Sequence, residues 1–161
     1  VGDSACHAAR GRNRKNAAMF GAPGSAYVYA IHAKWCFNVV TEPEEVPSAV
    51  LVRAVMPLAG LARMRERRGL QRELAAARGP ARLCQAFAID RRLDGWDLAR
   101  GESLWIAEDA EFDALAAQVA VSPRIGVTSA HGLPLRFFLR DVPFVSGTQR
   151  LNRSAVDAAA R

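Results

Sequence analysis

The sequence predicts an α+β fold, with a single domain built on a curved, mostly antiparallel sheet and surrounding helices. Segments with strand and helix patterns follow one another in a mixed order, not in the regular alternation typical of a parallel sheet. A length of 161 residues is ordinary for one domain, and no repeat or low-complexity linker divides the chain. A hydrophobic fraction of 50% is enough to fill a packed core.

The first third of the chain is predicted to hold strands. A polar, basic stretch over residues 8–20 leads into a turn at residues 21–24. Residues 27–40 are aromatic and β-branched, which predicts two strands or a strand and a bend. The continuous apolar run at residues 49–55 predicts a buried strand.

The remainder is predicted to mix helices with short strands. Apolar residues at helical spacing predict a helix over residues 58–68 that ends at Gly69. The break at Gly79-Pro80 precedes a second predicted helix over residues 81–89. The alanine-rich, polar end of the chain predicts a weak or frayed helix. Short apolar runs predict further strands at residues 104–106, 125–127 and 135–139.

The cysteines and the hydropathy exclude several classes of protein. The chain has an odd number of cysteines, and they are widely spaced: Cys6, Cys36 and Cys84. They form no CxxC motif and no Cys/His cluster. This pattern argues against a disulfide framework and a zinc site. No metal or organic cofactor is implied. No apolar run approaches the roughly 18 residues that span a bilayer. The cysteine usage favours a reducing, intracellular setting.

The charge is high and unevenly distributed. The net charge of +6 and the pI near 10.0 favour a polyanionic partner. Two segments are basic: residues 1–34 hold five basic residues and one acid, and residues 60–92 hold nine arginines and three acids. Residues 94–114 are acidic, with seven acids and one arginine. This distribution indicates one basic and one acidic face. The arginines between residues 63 and 72 are equally consistent with the solvated side of a helix.

Seven short segments carry a specific resemblance. They are HAARG at 7–11, KNAAMFGAPG at 15–24, YVY at 27–29, WCFNVVT at 35–41, AVLVRA at 49–54, GPARLCQA at 79–86 and SPRIG at 122–126. Together they are similar in order and spacing to the alkyladenine (3-methyladenine) DNA glycosylase family, from His7 to about Ser146. The resemblance implies that family's fold and a monomer that acts on double-stranded DNA containing damaged purines, in the cytoplasm with the nucleoid or in the nucleus.

The implied activity is base-excision repair. The enzyme flips alkylated or deaminated purines, such as 3-methyladenine and hypoxanthine, out of the duplex and hydrolyses the N-glycosidic bond, which leaves an abasic site. Positive charge develops on the sugar, so a carboxylate must stabilise it and activate water. In the family this acid lies in a Glu-Ala-Tyr motif, which we expect upstream of Val1. Residues 1–150 are thus expected to be a glycosylase domain lacking its N-terminal catalytic segment, followed by a polar tail at 151–161.

The resemblance assigns roles to five residues. Arg53 and the backbone carbonyl of Ile125 correspond to the groups that position the catalytic water. His7 and Tyr29 correspond to the residues that stack on or hydrogen-bond the flipped base, and Asn38 to the residue that rejects guanine. Without the resemblance, His7 would be a capping residue, Tyr29 a core tyrosine and Arg53 the exposed end of a strand.

The resemblance also predicts the residues that bind DNA. One loop departs from the family pattern: residues 30–36 are one residue short and lack the tyrosine that wedges into the duplex. His32 is the best substitute for this wedge and Ile31 the second. The predicted DNA-binding residues are Arg10, Arg12, Arg14, Lys15, Asn16, Met19, Ile31 and His32.

The scarcity of lysine favours a monofunctional glycosylase. A glycosylase that also cleaves the backbone needs a desolvated amine, and the only lysines, Lys15 and Lys34, lie in basic segments suited to phosphate contacts. Two alternatives stay open. A degenerate family member would bind DNA without excising bases, and a basic module of another class would bind RNA.

Overall fold

The computed structural model describes residues 2–69, 76–108 and 118–158. It confirms the α+β class and the antiparallel pairing, with the strands divided between two three-stranded sheets. The strands are β1 (Ala26–Ile31), β2 (Lys34–Val40), β3 (Ala49–Leu51), β4 (Val119–Ser122), β5 (Arg136–Leu139) and β6 (Val156–Asp157). The α-helices are α1 (Leu61–Arg68), α2 (Pro80–Phe87) and α3 (Gln149–Arg153), and 3-10 helices cover Ala17–Phe20 and Arg91–Leu93.

The first sheet has the order β1-β2-β3, and residues 27–40 belong to its first two strands and the turn between them, one of the two alternatives predicted for this segment. Strands β1 and β2 pair antiparallel, with Tyr27 opposite Asn38 and Tyr29 opposite Cys36. Because side chains alternate between the faces of a strand, these four side chains share one face of the sheet. The predicted strand at residues 49–55 is only three residues long, since the chain leaves the sheet after β3.

Both faces of the first sheet are covered. On one face, Val28 and Phe37 form a core with Leu83 and Cys84 of α2, the helix that packs on β2. The other face carries Tyr27 and Val40, which pack with Met19 and Phe20 of the first 3-10 helix. The tyrosines of β1 therefore lie on the face opposite α2, where the N-terminal segment covers them.

Helices α1 and α2 pack against each other, and their ends follow the predicted signals. Helix α1 starts three residues later than predicted, because Gly60 before it is left-handed, with φ 73°. It ends at Gly69, also left-handed, as predicted. Arg67 and Arg68 of its last turn donate to the carbonyls of Ala86 and Ala76. Arg67 and Arg68 therefore bond to carbonyls within the protein, whereas Arg63 is exposed, as expected for the solvated side of a helix.

Two predicted strands are wrong. Residues 104–106 form a loop in which the carbonyl of Leu104 accepts from Trp96 Nε1, and the leucine side chain packs on the core. Residues 125–127 form a bend, and Gly126 has a φ of 79°, outside the strand region. A run of three apolar residues packs in a loop as readily as in a strand, so the run alone does not distinguish the two. Arg72, Glu73 and the acids at 109–113 lie outside the described residues.

The second sheet has the order β5-β4-β6, and the C-terminal residues are part of it. The predicted strand at residues 135–139 is confirmed as β5. Helix α3 contains Arg150, and Val156 of β6 lies opposite Val121 of β4. Residues just past 150 therefore belong to regular structure. Within the described parts of the chain, no helix is both long and apolar enough to span a membrane.

Candidate active site

A cleft of about 800 Å³ runs along β1 and ends near the tip of its hairpin. It brings together six residues that the sequence pointed to separately, namely His7, Arg14, Lys15, Asn16, Tyr29 and Ile31. The N-terminal segment forms one wall, and the second 3-10 helix contributes to the opposite one. The remaining lining residues are Asn13, Tyr27, Val28, Ala30, Trp35, Arg91 and Asp94.

Three aromatic rings pack together in this cleft. His7 lies edge-on to Tyr29 with ring centroids 4.3 Å apart, and His7 Nδ1 is 2.8 Å from the Tyr27 hydroxyl. Partial burial lowers the pKa of His7, and burial raises the pKa of both tyrosines. All three rings are therefore neutral near pH 7. A neutral, partly exposed aromatic surface is suited to stacking on a planar base.

The position of His7 depends on a buried asparagine. Asn16 is 2% exposed, and its Nδ2 donates to the carbonyls of His7 and Gly11, both at 2.9 Å. Its Oδ1 accepts from the backbone of Asn13. Met19 is also buried, in the core beneath β1. The structure thus places both of these predicted DNA-binding side chains in the interior, where they support the cleft wall.

The predicted basic DNA-binding residues divide into two groups. Arg10, Arg14 and Lys15 are exposed, and the last two line the cleft. Arg12 is also exposed, but it forms an ion pair with Glu45 at 2.7 Å and lies over the ring of Phe20. Its charge is therefore partly neutralised, whereas Arg14 and Lys15 present theirs to the cleft.

Asn38 lies on the same sheet face as the tyrosines, but it does not line the cleft. It is 5% exposed, and its Nδ2 donates to the carbonyl of Tyr27 at 3.0 Å. The amide nitrogen is thus already used within the sheet.

Arg53 connects the first sheet to the loop after β4. Its Nη1 donates to the carbonyl of Ile125 at 3.5 Å, and its Nε donates to Ser146 Oγ at 3.4 Å. Burial lowers the pKa of Arg53, although an arginine stays charged at neutral pH. Tyr29 and Cys36 are close enough to influence its charge. The two residues predicted to position water therefore meet each other, close to Tyr29.

A second arginine, Arg136 of β5, binds the backbone of Ser146, the residue whose hydroxyl accepts from Arg53. It is 3% exposed and donates to Ser122 Oγ at 2.9 Å, the Ser146 carbonyl at 2.7 Å and Asn152 Oδ1 at 2.7 Å. All of these acceptors are neutral. The two arginines together leave a positive potential in this part of the molecule, which favours a water or carboxylate oxygen as their ligand.

The hairpin tip consists of His32 and Ala33, which follow the last residue of β1. Both have positive φ, 47° and 59°, which is the pattern of the type I′ turn that connects strands by two residues. Ile31 is 48% exposed although it is in β1, and His32 is exposed as well. Both candidate wedges therefore project from the surface next to the cleft.

The sequence pattern of the methylpurine-DNA glycosylase family matches residues 1–143. The chain belongs to this family. The match confirms the resemblance drawn from the seven segments, and it includes the residues that line the cleft.

Curated relatives from three organisms give the same result, and each carries the provisional name 3-methyladenine DNA glycosylase. The relative from Rhodopirellula baltica is 45% identical over 156 residues, which are 94% of this chain and 66% of that protein. The one from Chlorobaculum parvum is 44% identical over 149 residues, 92% of this chain and 70% of that protein. The one from Methanoculleus marisnigri is 42% identical over 147 residues, with coverages of 90% and 76%. The chain thus spans about two-thirds to three-quarters of these relatives.

This methylpurine-DNA glycosylase family member also has cleft residues that sequence reasoning missed. Arg91 and Asp94 line the wall opposite His7, where Asp94 Oδ1 accepts from the Val28 backbone N–H at 2.8 Å. Backbone hydrogen bonds between Ala26 and the segment at residues 94–98 hold this wall against β1. No local pattern predicts a pairing between residues 66 positions apart, so only the fold reveals it.

Proposed function

We propose that this protein removes damaged purines from DNA by hydrolysing their N-glycosidic bond, which leaves an abasic site. The observation that carries the proposal is the neutral pair of rings, His7 and Tyr29, in a cleft edged by Arg14 and Lys15. Aromatic rings stack on an extruded base, and cations at the rim hold the phosphates beside it. Family membership points to the same chemistry.

In this proposal the flipped base stacks on Tyr29, and His7, whose ring lies at 73° to that of Tyr29, contacts the edge of the base or hydrogen-bonds to it. Stacking between a base and an aromatic ring contributes about 1–3 kcal/mol, which helps to offset the few kcal/mol lost when the base leaves the duplex. The buried Asn38 amide discriminates against guanine, whose exocyclic amine hypoxanthine lacks. Neutral rings suit both alkylated and deaminated purines, because they bind through their faces and not through a fixed charge.

Hydrolysis requires a water held against the sugar. We propose that the Ile125 carbonyl and Arg53 position this water, since the carbonyl oxygen and Arg53 Nη1 lie 3.5 Å apart next to Tyr29. The general base that takes its proton is proposed to be the family's glutamate, expected before Val1. That carboxylate would also offset the positive charge that develops on the sugar in the transition state.

The DNA backbone is proposed to lie across the exposed basic residues Arg10, Arg14 and Lys15. The hairpin tip, with Ile31 and His32, would then fill the gap that the flipped base leaves. Arg12, Asn16 and Met19 support this surface through their contacts within the protein. We propose that the protein acts as a monomer on intracellular double-stranded DNA.

The test is an excision assay with the full-length protein. Duplexes with a single hypoxanthine or methylated adenine are incubated with the protein and then treated with alkali, which breaks the strand at abasic sites. Strand breaks at the lesion, and none in the undamaged duplex, are expected. Without alkali the strand should stay intact, and borohydride should trap no protein–DNA adduct, because Lys15 and Lys34 are both exposed and not desolvated.

A second candidate function is DNA binding without excision. It is favoured by one observation: Asp94, the carboxylate among the described residues that line the cleft, is engaged by the Val28 backbone. A full-length protein that binds the lesion duplex and produces no alkali-sensitive sites would establish this alternative. Stronger competition by structured RNA than by plain duplex would instead favour an RNA-binding module.

A further inference from the structure

The candidate site is assembled from two separate parts of the chain. His7 and Tyr29 belong to the N-terminal segment and the first sheet, whereas Ile125 lies in the loop after β4 of the second sheet. An ion pair joins these parts. Arg124 Nη1 is 2.7 Å from Asp3 Oδ2, and Arg124 Nη2 is 2.6 Å from Asp3 Oδ1. This two-point arrangement fixes orientation as well as distance.

We infer that Asp3 and Arg124 are positioning residues for base excision. Their ion pair holds the Ile125 carbonyl in a fixed position relative to the rings of His7 and Tyr29. The inference rests on the proposed function. Neither residue touches the base or the water in this scheme. They act through their neighbours, Asp3 through the turn that carries His7 and Arg124 through the adjacent Ile125.

The Asp3 side of the pair shapes the N-terminal turn. Its Oδ1 also accepts from the Ala5 backbone at 3.1 Å, and its carbonyl accepts from Cys6 at 3.1 Å. The chain reaches His7 one residue later. A rotation of the Asp3 side chain would therefore be transmitted to the imidazole over only a few residues.

The Arg124 side chain depends mainly on Asp3 for its hydrogen bonds. Its Nε is buried and has no acceptor in the described part of the chain, so the two bonds to Asp3 carry its hydrogen bonding there. The next residue, Ile125, offers its carbonyl to Arg53. The side chains of Arg124 and Asp3 are 19% and 21% exposed, so solvent weakens their attraction much less than that of an open surface pair.

The test compares variants of the full-length protein on the lesion duplex that the wild type excises. Asp3→Asn and Arg124→Lys should each lower the single-turnover rate at saturating protein on the order of tenfold, because small displacements of a water-positioning group are costly. The Kd for the lesion duplex should stay within about twofold, since base and phosphate contacts are unchanged. Lysine keeps the charge but lacks the planar fork, which makes it a test of geometry.

Rescue and a matched control separate positioning from general stability. The exchanged pair Asp3→Arg with Arg124→Asp should recover part of the lost rate. Asp157→Asn breaks a more exposed, single-contact ion pair with Arg140 at 2.7 Å on the second sheet, away from the site, and it should leave the rate unchanged. Thermal unfolding of each variant identifies any that fails to fold, in which case Arg124→Lys, the mildest change, decides.

The outcomes distinguish this inference from the function on which it rests. A wild-type protein that excises no base overturns the proposed function and the positioning role with it. An active wild type whose Asp3→Asn and Arg124→Lys variants keep its rate, or lose affinity in place of rate, overturns the positioning role alone. Slow variants with unchanged Kd, together with rescue by the exchanged pair, support it.

Discussion

At the scale of single residues, partial burial sets the protonation of His7. It lowers the pKa of His7 below the ordinary value of 6.5, so the folded protein binds fewer protons than the unfolded chain. The stability that neutral His7 contributes is thus present above that value and is lost as the pH falls through the folded pKa. His7→Gln should reduce the loss of unfolding free energy between about pH 7 and pH 5. Urea unfolding at both pH values measures it.

An identical pH dependence in His7→Gln and the wild type would mean that the packing of His7 against Tyr29 does not disfavour its protonated form.

Substitution of Asn38 tests the selectivity of excision between guanine and hypoxanthine. Asn38→Gly opens the pocket beside Tyr29 and should raise the excision of normal guanine relative to hypoxanthine, because the amide no longer opposes guanine. The lost bond to the Tyr27 carbonyl should also lower the unfolding free energy by about 1 kcal/mol. Excision of both bases by the full-length enzyme is measured alongside Asn38→Ala, which separates the loss of the amide from glycine's flexibility. A lower stability with unchanged relative guanine excision would make Asn38 structural only.

At the scale of elements, the hairpin turn carries backbone strain. His32 and Ala33 both occupy left-handed conformations, which cost non-glycine residues roughly 1 kcal/mol each. Ala33→Gly should therefore raise the unfolding free energy by about 0.5–1 kcal/mol. Ala30→Gly, in the adjacent strand, is the matched control and should lower it by a similar amount. Destabilisation by Ala33→Gly in urea unfolding would show that the turn is not strained at this residue.

The same hairpin supplies the wedge. His32→Ala should lower lesion excision on the order of tenfold, about 1.4 kcal/mol, because a smaller side chain fills the gap in the duplex less well. His32→Tyr should keep or raise the activity. Stopped-flow fluorescence of a reporter beside the lesion measures the flipping equilibrium. If His32→Ala leaves this equilibrium unchanged while Ile31→Ala weakens it, Ile31 is the wedge.

At the scale of the whole molecule, the charge distribution should control affinity for DNA. Binding is expected to weaken steeply with salt, because cations on the protein displace counterions from the phosphates. Replacing both Arg14 and Lys15 with glutamine should weaken binding to damaged and undamaged duplex alike and reduce the salt dependence. Arg92→Gln is the control, since Arg92 is paired with Asp90 at 2.8 Å and does not line the cleft. A loss of lesion preference with unchanged affinity for plain duplex would contradict this assignment.

The sequence predicted the elements whose signals are local. Aromatic and β-branched residues predicted either two strands or a strand and a bend at residues 27–40, and the two strands β1 and β2 are observed there. Gly69 and the Gly79-Pro80 break predicted helix limits, because turn and cap conformations depend on a few adjacent residues. The strands predicted from the apolar runs at residues 104–106 and 125–127 are wrong, because three apolar residues can pack in a loop as well as in a strand. Such a run becomes a strand only where a segment distant in the sequence pairs with it.

By itself the sequence determined the family and the fold class, because the order and spacing of its motifs match those of the family, and it predicted the residues of the candidate site. Tertiary structure decided which of the candidate side chains share a cleft. It buried Asn16 and Met19, paired Arg12 with Glu45, and left Arg14 and Lys15 at the rim. It also brought Asp94 to β1 and Asp3 to Arg124, across 66 and 121 residues. Contacts over such separations depend on how the sheets pack, which no local pattern encodes.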